Sequence, residues 1–130
     1  MTIEEHIKYW LDSAAHDLET AAFLFKSGKY DWCLFIGHLV LEKTLKALFV
    51  FRNNNKVPPK IHDLVKLARL ARLELNQAQE IFLGDASDFN FEARYPDFKQ
   101  EFYKKCTKSF AEKYFTEIKE YHKWLKSQLK

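Results

Sequence analysis

Residues Asp31 to Phe51, DWCLFIGHLVLEKTLKALFVF, constrain the fold more than any other stretch. The run is apolar almost all the way round in its first three turns, and a helix of that kind has to be covered on more than one side. Gly37 lies in its middle, where glycine costs about 1 kcal/mol relative to alanine, so another backbone is expected to pass close to it. One polar row interrupts the cylinder: His38, Glu42 and Lys46 recur at i, i+4 and i+8 and share a face. Chemistry or recognition in this helix is expected on that row.

The flanking segments read as helices that cover this one. Thr2 with Glu5 forms a capping box, so helix 1 should begin at Ile3, carry an apolar stripe through Ala14, Leu18, Ala21 and Phe25, and stop at Ser27-Gly28. Asp31 is the expected N-cap of helix 2, which places the two in an antiparallel hairpin. Helix 2 should end near Arg52, where RNNNKVPPK favours turns and Pro58-Pro59 forbids helix. His62-Asp63-Leu64 opens a shorter helix with Leu64, Val65, Leu67, Ala68 and Ala71 inward. Asn76 with Gln79 caps a fourth helix that buries Ala78, Ile81, Phe82, Phe89 and Phe91 and finishes near Arg94, because Tyr95 precedes a proline. A fifth helix is predicted from about Phe98 to Leu129, with Tyr103, Cys106, Phe110, Tyr114, Ile118, Tyr121 and Leu125 as its buried stripe. The expected fold is an all-α, up-and-down antiparallel bundle of four long helices and one shorter one, a single domain over residues 1–130.

Composition narrows the class further. Three glycines and three prolines are too few for a chain of many tight turns, which argues against an all-β fold. Twelve phenylalanines in 130 residues exceed what a minimal bundle core requires, and some of the rings are expected in a subunit interface. Cys33 and Cys106 lie in apolar helical patterns without CxxC spacing and read as buried thiols, consistent with a reducing cytoplasm. No apolar run is long enough for a membrane span, and MTIEEHIK does not resemble a leader. The net charge of +3 is unevenly spread, acidic in the first helix and lysine-rich between Lys99 and Lys130; interleaved glutamates make the lysines a solvated face rather than a nucleic-acid stripe.

Three places hold polar residues that a bundle does not obviously need: the row on helix 2 with Lys43 beside it, His62-Asp63, and NFEARYP from Asn90 to Pro96. Each also has a plain structural reading. Glu42 and Lys46 form a favourable i, i+4 pair worth about 0.2–0.5 kcal/mol, Asp63 complements a helix dipole, and Arg94 can cap carbonyls in a last turn. The five histidines include no HExxH and no pairing with cysteine, so no metal site is expected, and neither a Gly-rich phosphate loop nor GxSxG is present.

The order of these pieces resembles the HEPN domain (higher eukaryotes and prokaryotes nucleotide-binding). EKTLKAL at Glu42 to Leu48, then His62-Asp63-Leu64, then Arg94-Tyr95-Pro96 match that family's motifs over nearly the whole chain, with Ile61 standing where many members have Ser or Thr as a cap. The resemblance implies a five-helix bundle, commonly a homodimer. No cofactor is expected. It also implies one of two functions. Some members are metal-independent ribonucleases with an arginine followed four to six residues later by histidine; after Arg94 the chain reads YPDFKQEFYK, which lacks that histidine, so no catalytic residue is assigned. Others accompany minimal nucleotidyltransferases, and the sequence is most similar to that group.

On this reading the domain is a nucleotide-binding or nucleotidyltransferase-companion module. Arg94 and Lys46 would meet phosphates, Tyr95 or His62 would stack or hydrogen-bond, and Glu42, Lys43 and Asp63 complete the candidate set. The alternatives are a toxin-like ribonuclease, as in toxin-antitoxin pairs, that takes its histidine from His62 or His122 and holds RNA on the lysine-rich helix, or a purely structural dimerisation module.

Overall fold

The computed structural model describes residues 1–130 and contains six helices and no strand: α1 (Ile3–Lys26), α2 (Tyr30–Arg52), α3 (Leu64–Leu70), α4 (Gln77–Arg94), α5 (Pro96–Lys105) and α6 (Lys108–Ser127). The Thr2–Glu5 capping box starts α1 as its sequence predicts, and Asn76 and Gln79 form a second one at α4. α2 begins one residue before Asp31, at Tyr30. Lys29 occupies the cap position without a side-chain hydrogen bond, and buried Asp31 sits instead in the first turn, where a carboxylate favours the positive helix end.

The predicted fifth helix is two helices, so the count is six rather than five. Cys106 leaves the helical region with φ −80° and ψ 68°, and the Thr107 side chain accepts a hydrogen bond from the Phe110 amide, capping α6. The apolar spacing through Tyr103, Cys106 and Phe110 stays helix-like across the break, which is why periodicity reads one element. Because the phase resets, Tyr103 is exposed and Phe102 is the buried residue of α5. On α4, Ala78, Ile81 and Phe91 are likewise exposed, and the buried face is Phe82, Leu83, Ala86, Phe89, Asn90 and Ala93.

α2 is the axis of the bundle. Leu34, Val40, Leu41, Leu45, Ala47, Leu48 and Val50 are fully buried on it, so its apolar girth is covered on several sides at once. α1 packs antiparallel to it, with Lys43 against Asp17 at 2.6 Å near the middle and Phe25 against Tyr30 at the turn. The small side chains Ala14 and Ala21 are fully buried on α1, which lets the two helices approach closely. Gly37 does meet a neighbour, but a side chain rather than a backbone: a Cβ there would stand 2.7 Å from Cδ1 of Ile118 on α6. α4 runs antiparallel to α6, which brings Phe82 onto Tyr121 at a ring separation of 4.3 Å and Phe89 onto Phe110 and Tyr114. Cys33 and Cys106 are free and buried, and burial pushes both thiols up to about 12. No helix is long and apolar enough to cross a membrane.

The loop after α2 places the candidate residues of α3. Asn54 and Asn55 adopt positive φ (53° and 66°), a conformation asparagine tolerates better than most residues. Asn55 also ties the loop to the N-terminus, accepting from His6 Nδ1 at 2.9 Å and donating to the Met1 carbonyl at 2.9 Å. Asp63 caps α3 by accepting from the Lys66 amide, and Ser87 of α4 accepts from the Leu64 amide at 2.9 Å. The first turn of α3 is therefore fixed from both sides, and His62 with it.

His122 on α6 is buried with its Nε2 unpartnered. Burial first, and Lys126 second, push its imidazole from the ordinary 6.5 down to about 4. The unfolded chain binds a proton at this position between those values while the folded chain does not, so folding stability falls as pH drops from 6.5 toward about 4 and is unaffected by this residue at higher pH. His122→Gln is expected to flatten part of that acid slope. Urea midpoints at about pH 7 and about pH 5 check it; an equal loss between the two conditions in variant and parent would contradict the assignment.

Candidate functional site

The polar row of α2 is buried: His38 is 0% exposed, Glu42 5% and Lys46 7%. Polar groups at that depth need partners, and each has one. Glu42 Oε2 accepts from Lys46 Nζ at 3.0 Å, and Oε1 accepts from His62 Nδ1 at 2.7 Å. Lys46 Nζ also lies 5.4 Å from the centre of the Trp10 ring, so α1 closes this end of the row.

The other end leads to α4. His38 Nε2 donates to the His62 carbonyl at 2.9 Å, because a carbonyl can only accept. Burial holds His38 below the ordinary histidine value, hence neutral, and its unprotonated Nδ1 accepts a long hydrogen bond of 3.5 Å from Asn90 Nδ2. That fixes the amide orientation of Asn90, whose Oδ1 accepts from Arg94 Nη2 at 2.6 Å. Arg94 Nε donates as well, to the Asn90 carbonyl at 3.1 Å. One continuous chain of hydrogen bonds thus runs Lys46, Glu42, His62, His38, Asn90, Arg94 across α2, the α3 entry and α4.

The two ends of that chain differ in access. Lys46 is enclosed, whereas the His62 side chain is 53% exposed and Arg94 is exposed. His62 and Arg94 line a groove of about 400 Å³ together with Asp63, Asp88, Phe91 and Tyr95, with Asn90 beneath them. Since Nδ1 of His62 is committed to Glu42, Nε2 is left without a protein partner on a ring whose orientation a buried carboxylate sets. Arg94 retains donors beyond those spent on Asn90, and its guanidinium lies 5.6 Å from the centre of the Tyr95 ring. The groove therefore offers a fixed cation, a fixed imidazole, two aromatic faces and two carboxylates.

Of the residues singled out in the sequence, His62, Asp63, Arg94 and Tyr95 meet in the groove. Glu42 and Lys46 stand behind His62, and Lys46 is too enclosed to reach a ligand in this arrangement. Lys43 lies elsewhere: one position round the helix from Glu42, it pairs with Asp17 of α1. His38 of the helix 2 polar row and Asn90 and Phe91 of the NFEARYP stretch complete the constellation, together with Asp88, which the sequence does not single out. The i, i+4 spacing of Asn90 and Arg94 was the available signal for one of them.

Comparison with known proteins agrees with this architecture. The sequence profile of the HEPN domain matches residues 7–128. The chain also superposes on the crystal structure of TT1696 from Thermus thermophilus with a TM-score of 0.79, covering 95% of this chain and 98% of that one at 21% identity. Comparison with curated proteins returns no match. The all-helical bundle and the profile together define the class, and the chain belongs to the HEPN family.

Proposed function

We propose that this HEPN domain is a nucleotide-binding module that holds a phosphate-bearing nucleotide in the His62–Arg94 groove and serves as companion to a minimal nucleotidyltransferase. The observation that carries this reading is that His62, from the loop entering α3, and Arg94, from the last turn of α4, are both anchored on one buried hydrogen-bond chain and both present free polar atoms to one groove. A guanidinium held in place by Asn90 can engage phosphate oxygens in a fork with little further ordering. His62 Nε2 supplies a second contact, and Tyr95 with Phe91 offers faces for a base. A homodimer and a cytoplasmic setting belong to the same reading; exposed Tyr9 and Phe23 on α1 provide apolar surface for subunit contact, to be tested by light scattering.

Thermal unfolding with a panel of nucleoside phosphates tests the reading. A ligand at one hundred times its dissociation constant adds about 2.7 kcal/mol to the folded state, which raises the midpoint by on the order of 10 °C for a domain of this size. Arg94→Ala is expected to remove that shift; because it also takes a donor from buried Asn90 it lowers the unliganded midpoint by several degrees, so the shift on adding ligand is the readout. If no nucleoside phosphate moves the parent midpoint, the reading fails.

A second reading, as a toxin-like ribonuclease, is favoured by one specific observation: the 2.7 Å contact of His62 with buried Glu42 is the geometry that orients an imidazole for proton transfer. Nε2 would take the proton of an RNA 2′-hydroxyl as its oxygen bonds to the adjacent phosphorus, Arg94 would stabilise the added negative charge, and the P–O5′ bond would break to leave a 2′,3′-cyclic phosphate and a 5′-oxygen that receives a proton back from His62 or water. Incubation with a single-stranded RNA in EDTA is then expected to give cleavage that His62→Ala lowers at least about a hundredfold. Intact RNA, or equal cleavage by parent and variant, sinks this reading.

A further inference from the structure

Resting on the nucleotide-binding reading above, we infer that the groove is built for a nucleotide unit carrying a single phosphate, with its base on the Phe91–Tyr95–Phe98 rings, and that it selects against nucleoside di- and triphosphates. Two independent observations lead there. The first is charge. The groove has one fixed cation, Arg94, but two carboxylates, Asp63 and Asp88. Asp63 spends only Oδ1, on the Lys66 amide, and Asp88 makes no ion pair or hydrogen bond. Lys46, which could have shifted the balance, is turned away under Trp10 and neutralised by Glu42.

A phosphomonoester brings a charge of about −1.5 to −2, which the Arg94 fork and His62 Nε2 can meet. Each further phosphate adds negative charge beside two carboxylates with no second cation lining the groove, since Lys105, whose charge reaches Asp88 from α5, is paired with Glu92 at 3.3 Å; the repulsion strengthens as water leaves the groove. The carboxylates are instead suited to accept from ribose hydroxyls or base amino groups, which are donors.

The second observation is the aromatic corner. Phe91, Tyr95 and Phe98 are 46%, 47% and 43% exposed, yet their rings cluster, at 4.6 Å from Phe91 to Tyr95 and 5.0 Å from Phe91 to Phe98. The corner is rigid. Tyr95 is extended at φ −87° and ψ 129°, and Pro96 starts α5, so the chain turns sharply and carries Phe98 back onto Phe91. Phe91 and Tyr95 line the groove that Arg94 shares, so a base lying on these rings keeps its phosphate within the same site. Stacking of this kind accepts any base, so the selection is for phosphate count rather than base identity.

The same chemistry occurs in a free nucleoside monophosphate and in the 5′-phosphorylated end of a single strand. Calorimetric titration of the full chain in EDTA, so that no divalent cation masks polyphosphate charge, compares AMP, ADP, ATP, adenosine, inorganic phosphate and a 5′-phosphorylated oligoadenylate. AMP is expected to bind at least about tenfold tighter than ATP, and Asp88→Asn to narrow that gap. Phe91→Ala and, separately, Phe98→Ala are expected to weaken AMP about five- to a hundredfold without changing the affinity for inorganic phosphate. An oligoadenylate tighter than AMP identifies a strand end as the source; equal or weaker binding identifies the free nucleotide.

ATP binding as tightly as AMP, with both lost in Arg94→Ala, would overturn the phosphate-count inference and leave the nucleotide-binding reading intact. Absence of binding by every nucleotide would overturn both. Ring variants that change the oligomeric state in sedimentation but not AMP affinity would assign the corner to a second copy of the chain and overturn its role as a base platform.

Discussion

Glu42→Ala is expected to destabilise the fold by about 3–5 kcal/mol, the range seen when one partner of a buried ion pair is removed. Glu42 is 5% exposed and Lys46 7%, so the lysine left behind keeps its position among apolar side chains with only the Trp10 ring beside it. His62 loses its Nδ1 acceptor in the same step. The cost should reflect the orphaned charge more than the lost attraction, and a double variant separates the two. Glu42→Leu with Lys46→Met replaces both partners by apolar groups of similar size and is expected to recover most of the stability. Urea denaturation of the single and double variants reads the difference. A single variant within about 1 kcal/mol of the parent would mean that Lys46 reaches water, contrary to its enclosure. The double variant carries a second prediction, since it leaves Arg94 anchored by Asn90 while His62 loses its guide; phosphate affinity should fall less than in Arg94→Ala.

Phe102→Ala should cost about 3–5 kcal/mol where α5 docks, the usual range for truncating a buried phenylalanine. Phe102 is 1% exposed and is the single buried residue of α5, packed at 5.6 Å from Phe89. The other contacts that hold this ten-residue helix, Phe98 on Phe91, Lys105 with Glu92 and Lys99 over the Trp32 ring, are partly exposed, and isolated helices of that length are marginal in water. The loss is therefore expected as undocking of α5 with α1, α2 and α6 still folded. Hydrogen exchange distinguishes this from global unfolding: amides of Phe102–Cys106 should lose protection while those of Leu41–Leu48 keep theirs. Uniform loss across both segments would show that α5 belongs to the same cooperative unit as the core. Undocking would also release Phe98, so the aromatic corner beside Arg94 should lose definition in the same variant.

Much of the fold was legible because local chemistry marks helix ends. Thr2 with Glu5, Asn76 with Gln79, and Tyr95 before Pro96 satisfy or remove particular backbone groups, and the helices start and stop there. Thr107 is the same kind of signal, yet it was hidden within an apolar spacing that happens to continue across it; the cap, not the stripe, decided the outcome. Asp31 shows the converse, a good capping residue that the chain uses one position inside the helix.

The site was legible only in part. Spacing places His38, Glu42 and Lys46 on one face, but it carries no information on which element covers that face. That α3 delivers His62 to Glu42, and that α4 delivers Asn90 to His38, are consequences of three-dimensional packing. Lys43 illustrates the limit: adjacent to Glu42 in sequence, it is rotated by one helical step and serves the α1 contact instead.

Both native thiols lie inside the bundle and are held near 12, so almost no thiolate exists at neutral pH to react with alkylating reagents. The practical consequence is that the unaltered background already suits site-directed labelling. A single Ile81→Cys replacement on the exposed face of α4, outside the groove, would introduce the one reactive thiol of the molecule, and a fluorophore attached there would follow the fold without first stripping Cys33 and Cys106 from the core.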